Sequence, residues 1–428
     1  LVRLFTLVLV AVLLVGAAAV AISWRSAIDP IAPGPRASFD KVLVARGEML
    51  ARLGDCLTCH TADDGRAYAG GRALETPFGT VWGTNITPDP ETGIGTWSQA
   101  AFRRAMREGV DRAGHHLYPA FPYEHFAKLT DDDIAALYAY VMTREPVRQA
   151  TPPTRLPFPY GFRPALGLWK LLYLDAQPVR VDAAKTAAWN RGAYLVEALA
   201  HCGACHTPRN RLGAEESGRP FAGGTAEGWW APPLDSSSPA PEPWTADALT
   251  AYLRGWEKRH GGAVGPMAPV VDNLAQLPEP EVRAIAAYTA SFLPAPTPDR
   301  QRRAEALVAR AAQTTTPPGA PAAGAAIYAG TCATCHESGG GVPFTVRSLA
   351  QHSALSGPDP RNVVRVVLDG VRPSEGTVGP IMPGFRDTLT EAQLVDLVPY
   401  LRARFSDAPP WPGVPESVHR FYTPTTAP

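Results

Sequence analysis

The chain has 428 residues, 45% of them hydrophobic, and its 40 basic side chains balance 40 acidic ones. That length suggests about two to four domains, and zero net charge gives no electrostatic case for nucleic acid or an acidic surface as partner. The 45 prolines are about twice the usual share for a globular protein, and they gather in connecting segments.

The first element lies within residues 1–30. Leu4 to Trp24 are 21 uncharged positions between Arg3 and Arg25, about 31 Å of helix, which is close to a bilayer core. The stretch is expected to be an uncleaved membrane anchor. A cleaved secretory signal, with Ala17-x-Ala19 or Ala19-x-Ala21 at the cut, is the alternative. Either reading exports the rest of the chain.

All six cysteines fall in C-x-x-C-H pentapeptides: Cys56, Cys59 and His60; Cys202, Cys205 and His206; Cys332, Cys335 and His336. This is the pattern of c-type haem attachment, with two thioethers to the porphyrin and the next histidine as proximal iron ligand. A structural zinc site needs a second ligand pair within about 20 residues, whereas successive motifs here stand 146 and 130 residues apart. A thioredoxin-like pair needs a βαβ setting and no histidine.

Each motif follows a helical pattern containing a glycine, at Gly47, Gly192 and Gly324. Each is followed downstream by a helix on one template: Leu129, Ile134, Leu137, Tyr140; Leu277, Val282, Ile285, Tyr288; Leu389, Leu394, Leu397, Tyr400. The shared spacing gives one apolar helical face. Thr130 with Asp133, and Thr390 with Gln393, read as capping boxes, and Pro278 suits a first turn. A middle helix recurs at Trp97 to Gly109, Trp244 to Gly255 and Pro360 to Gly370. A glycine opposite an aromatic predicts a close crossing of first and last helices. The pattern resembles the class I cytochrome c fold.

The expected organisation is therefore all-α: cytochrome c domains at 40–150, 186–297 and 323–406, linkers at 151–185 and 298–322, and a proline-rich tail at 407–428. The first linker carries "FPYGFRPALGLWKLLYL", which reads either as a surface for membrane, quinone or a partner, or as a packed strap. The second reads as irregular.

An electron-carrying haem usually has both axial positions filled. Met267 in "GPMAP" and Met382 in "GPIMPGF" precede the last helices of the second and third repeats. Their proline-stiffened loops make them the expected distal ligands. In the first repeat the same position is Phe121, which cannot ligate. His125 is the leading candidate there, with an open iron, Met106, Met142, His115 and His116 as alternatives.

Over residues 40–405 the chain resembles the trihaem cytochrome c subunits of membrane-bound periplasmic dehydrogenases. The resemblance rests on the three motifs together with "NITPDPETGIGTWS" at 85–98, "LYPAFPY" at 117–123, "WNRGAYLVEALAHCGACHTPRN" at 189–210 and "MPGF" at 382–385. It implies three covalent haem c groups on the periplasmic side of the bacterial inner membrane. Electrons would come from a catalytic subunit and pass to quinone or a terminal oxidase. In the branch serving quinoprotein alcohol and flavin-dependent gluconate-type dehydrogenases the heptad ends "AMPY", and its methionine is a haem ligand. "LYPAFPY" followed by "HF", with "GPMAPVV" at 265–271, is more similar to the branch paired with molybdenum hydroxylases of aldehydes or N-heterocycles. The expected partner is thus a molybdenum catalytic chain with an iron–sulfur subunit, since 428 residues leave no room for a molybdenum domain.

No residue is assigned a catalytic role, and the chain reads as an electron-transfer subunit rather than an enzyme by itself. Three other readings remain: the cytochrome of a quinoprotein alcohol or flavin-dependent sugar-acid dehydrogenase, a haem enzyme or gas-binding protein using an open first haem, and a stand-alone shuttle. An enzyme would need acid and base groups, and the first repeat offers only Glu124 and its histidines.

Overall fold

The computed structural model describes residues 3–7, 10, 16, 21, 23–35, 38–313, 316–337, 348–373, 379 and 381–423. The chain divides into two units. One comprises Leu1–Ala183, Ala193–Ala204 and Arg209–Glu215, and the other Ala184–Gly192, Cys205–Pro208 and Glu216–Pro428.

In the first unit the helix Lys41–Leu53 crosses the helix Asp131–Met142. A Cβ on Gly47 would lie 2.0 Å from Ala136 O and 2.7 Å from the Tyr140 Cβ, so only glycine permits this approach. The second unit repeats the crossing twice. Gly192, on the helix Ala187–Tyr194, meets Ala284 O at 2.0 Å, and Gly324, on Ala322–Thr331, meets Asp396 O at 2.2 Å. Tyr288 and Tyr400 are the aromatic neighbours in these two copies.

The template positions form the core. Leu129, Ile134, Val282, Leu394 and Leu397 are almost wholly buried, as an apolar stripe at helical spacing requires. Thr390 and Gln393 make the full capping box. Thr130 caps its helix, but the Asp133 carboxylate turns to Arg46 at 2.7 Å instead of closing a box. Pro278 stands at the cap of its helix, with Pro280 in the first turn. The middle helices are Gln99–Glu108, Ala246–Leu253 and Arg361–Asp369.

The expectation of an all-α fold with a membrane-spanning N-terminal helix is corrected on two counts. Two antiparallel hairpins are present: Ala73–Thr76 with Gly79–Trp82, and Gly224–Ala226 with Trp229–Ala231. Glu227 and Gly228 both take positive φ between the second pair of strands, the two-residue turn whose twist suits a hairpin. Among the described residues no helix is long and apolar enough to cross a membrane. Most of the stretch Leu4 to Trp24 lies outside the described residues.

Two further segments are more ordered than their composition suggests. Pro298–Ala311 is a helix capped by Thr297, in place of the expected irregular linker. In the proline-rich tail, Val414–Tyr422 is a helix whose Val414 and Val418 join the core of the third repeat. The aromatic linker forms the helix Ala165–Tyr173. It packs by one face, with Lys170 Nζ donating to Glu108 O and Gly109 O, and leaves Leu168, Leu171 and Leu172 exposed.

Candidate haem-binding sites

Cys56–Cys59 is a single helical turn, entered at Asp55 with φ +50° and closed by His60, whose N–H bonds Cys56 O at 3.1 Å. Adjacent cysteine side chains on one turn can reach one flat partner together.

The imidazole of His60 is oriented by the first hairpin. Its Nδ1 lies 2.7 Å from Thr84 O, two residues past the strand Gly79–Trp82. A carbonyl only accepts, so Nδ1 carries the proton and Nε2 keeps its lone pair for a metal. His206 repeats the arrangement: its Nδ1 lies 2.7 Å from Pro232 O, directly after the strand Trp229–Ala231. Burial lowers the pKa of both rings and so favours the neutral form that can ligate.

Each hairpin reaches its motif through glycine. A Cβ on Gly83 would stand 1.9 Å from Cys59 O, and one on Gly224 would stand 2.3 Å from Cys205 O. His336 is likewise held neutral by burial, and among the described residues its Nδ1 has no partner. Residues 338–347, which follow it, lie outside the described residues.

On the distal side Met267 opens the helix Met267–Ala275. Its loop packs on the second hairpin, because Gly265 at φ +57° lies against the Trp229 ring. The loop bearing Met267 and the segment that orients His206 thus belong to one packed group. Met382 pairs through its backbone with Val371 and packs on the same core cluster as Cys332.

The first repeat departs from expectation at His125. Its Nδ1 lies 2.8 Å from Glu197 O and its Nε2 lies 2.8 Å from Glu215 Oε1, so both nitrogens are occupied. This geometry presents no imidazole lone pair to iron. The cause is long-range: the two partners arrive from 72 and 90 residues downstream. Phe121 packs against Phe126, the two rings tilted with centroids 5.3 Å apart.

The other candidates are engaged elsewhere. His115 is largely exposed and pairs with Asp111. His116 is buried between Ser23 O and Lys170 Nζ. Met106 and Met142 are core residues of their helices. The "NITPDPETG" segment is scaffold: buried Asn85 donates to Val147 O and Gln149 O, and Asp89 accepts from Thr92.

Thr84, Pro232, Gly83 and Gly224 escape a reading of the sequence alone. The turn-forming Glu227-Gly228 before Trp229-Trp230 is the one local signal for the second hairpin.

Paired thiols on one turn, followed by an imidazole with a free Nε2, fit covalent haem c. When bound, that group supplies one-electron redox chemistry. Fold and site together define a c-type cytochrome with more than one attachment motif.

Comparison with known proteins agrees. Residues 44–145 match the cytochrome c family model, and residues 319–401 match that of cytochrome c oxidase, cbb3-type, subunit III. The chain is 46% identical over 405 residues to a nicotinate dehydrogenase subunit of Pseudomonas putida, covering 93% of this chain and 33% of that protein. It therefore spans about a third of that relative's length. It is 35% identical to the fructose dehydrogenase cytochrome subunit of Gluconobacter japonicus, covering 89% and 82% of the two chains. It is 34% identical to the cytochrome c subunit of alcohol dehydrogenase (quinone) of Gluconobacter oxydans, covering 87% and 80%.

The chain belongs to the family of cytochrome c subunits of dehydrogenase complexes. Electron transfer is the role of such a subunit.

Proposed function

We propose that the chain carries three haem c groups, one per motif, and passes electrons from a molybdenum-containing catalytic partner with its iron–sulfur centres to quinone or a terminal oxidase. The three haem-binding repeats are those expected at 40–150, 186–297 and 323–406. Met267 and Met382 are the distal ligands of the second and third groups, and the work is done on the periplasmic side of the inner membrane.

The observation that carries the reading is the repeated lock on the proximal imidazole, His60 to Thr84 O and His206 to Pro232 O. It fixes the tautomer that a haem iron needs, twice, by the same device. In each of these two sites a carbonyl just past the hairpin orients the ring, and the two cysteines stand four and one residues before that histidine.

The molybdenum partner is favoured by Phe121 in place of the methionine and by the 46% identity to a nicotinate dehydrogenase subunit. Affinity purification of the tagged full chain from its host, followed by metal analysis, tests it. Stoichiometric molybdenum with iron beyond the haem content supports the reading. A co-purified flavin or quinone-type cofactor without molybdenum replaces it with a sugar-acid or alcohol dehydrogenase partner.

A further inference from the structure

The partners of His125 belong to a buried polar cluster in the first unit that haem attachment does not use. Glu124 and His125 come from the short helix Tyr123–Phe126, Lys128 follows it, and His201, Arg209 and Glu215 come from the segments around the second motif. Arg209 lies 3.5 Å from Glu215 and 3.9 Å from Glu124.

The cluster borders two attachment segments. His201 Nε2 lies 3.3 Å from Gly54 O, two residues before Cys56, and His201 immediately precedes Cys202. The rings of His125 and His201 are 6.4 Å apart. Asp55 is the neighbouring acid on the Cys56 side.

The geometry requires a resident proton. Nδ1 of His125 faces a carbonyl and must donate. Nε2 then faces a carboxylate oxygen at 2.8 Å, a contact that needs a hydrogen on one side or the other. Whether written as imidazolium with carboxylate or as imidazole with carboxylic acid, the pair holds one proton away from water.

Glu124 is the group left able to change. Its side chain is 11% exposed and has the Arg209 guanidinium at 3.9 Å as its ion-pair partner. Burial, then the charge of Glu215, pushes its carboxyl up to about 7. Burial also works against charge on Glu215, yet the hydrogen bond with His125 and the charges of His125 and Arg209 bring that carboxyl below its ordinary value. His201 is held neutral, down to about 4, by burial and by the charge of His125.

We propose that Glu124 is a redox-linked proton site: it takes one proton from solvent when an electron from the dehydrogenase arrives at the neighbouring haem attachment segments, and returns it on oxidation. The balance is simple. One negative charge enters a poorly solvated region, and the Glu124 carboxylate becomes a carboxylic acid, so the local charge is unchanged. The His125–Glu215 pair positions Arg209. The inference rests on haem c being attached at Cys56 and Cys202.

The test is a pH series of spectroelectrochemical titrations on the full haem-loaded chain, with haem loading first verified by pyridine haemochrome absorbance. Missing haem at either motif would defeat the haem assignment itself, separately from the proton site. With haem present, one midpoint should fall with pH around pH 7, by up to about 59 mV per tenfold change in proton concentration, the one-electron constant. Glu124→Gln should flatten that slope while the absorption spectrum stays as in the parent. A slope unchanged in Glu124→Gln assigns the proton to another group, such as a haem propionate, and overturns the proposal. Proton uptake on reduction, followed with a pH indicator in the unmodified chain, needs no variant. No uptake at pH 7 overturns it equally.

Discussion

The helix crossing of the third repeat can be tested inside a single helix, because Ala322–Thr331 contains two glycines in opposite settings. An added Cβ at Gly324 would stand 2.2 Å from Asp396 O and 2.8 Å from the Tyr400 Cβ, whereas at Gly330 it would meet nothing within 4 Å. Replacing glycine by alanine in a helix interior gains up to about 1 kcal/mol in backbone propensity. Gly330→Ala should keep that gain. At Gly324 the same change forces apart two backbones that have no side-chain slack, and overpacking of this kind costs about 1–3 kcal/mol. With the obstacle a carbonyl, the upper half of that range applies, leaving a net loss of about 1–2 kcal/mol.

The assay is hydrogen exchange with mass spectrometry on the full chain, read on peptides covering 322–331 and 391–405. Protection should fall roughly 5- to 30-fold in Gly324→Ala and hold or rise in Gly330→Ala. Equal behaviour of the two variants, or greater protection in Gly324→Ala, would refute the close-crossing argument.

The same logic applies at the hairpins: Gly83→Ala, with its Cβ 1.9 Å from Cys59 O, should lower haem attached at the first motif, measured as haemochrome absorbance per protein. Met267→Leu and Met382→Leu should each convert one low-spin haem to high spin by low-temperature electron paramagnetic resonance. The unmodified chain should already show one high-spin haem, from the first motif, because Phe121 has no donor and both nitrogens of His125 are bonded. An entirely low-spin spectrum would contradict that. Stability should also report Glu124: its folded carboxyl at about 7 binds a proton over a range where the unfolded one, near 4.5, does not. Stability should therefore fall as pH rises from 4.5 to 7, by on the order of 2 kcal/mol. Glu124→Gln should remove that fall, as read by urea titrations at the two pH values.

The repeat was legible because it is written in local spacing. A glycine lies in the first helix of each repeat and an apolar stripe ending in tyrosine runs into the last, so Gly47, Gly192 and Gly324 pair with Tyr140, Tyr288 and Tyr400 by spacing alone. The hairpins were missed because strands of three and four residues carry too few alternations to show a period of two. Pro298–Ala311 and Val414–Tyr422 were hidden by composition: in each, proline stands in the first turn, where it starts a helix rather than breaking one. His125 is the harder position to read. Its spacing from Phe121 made it a reasonable ligand, and only the fold brings Glu197 O and Glu215 to its two nitrogens.

The central claim is that each C-x-x-C-H motif holds haem c, with the histidine oriented by a backbone carbonyl at the first two. Haem-to-protein stoichiometry combined with peptide mass analysis of the full chain tests it most directly. The account predicts three haems per chain, with thioether-linked haem on the peptides bearing Cys56–Cys59, Cys202–Cys205 and Cys332–Cys335. Recovery of any of these peptides with both thiols free, from chain matured in a host competent for haem c attachment, would contradict it.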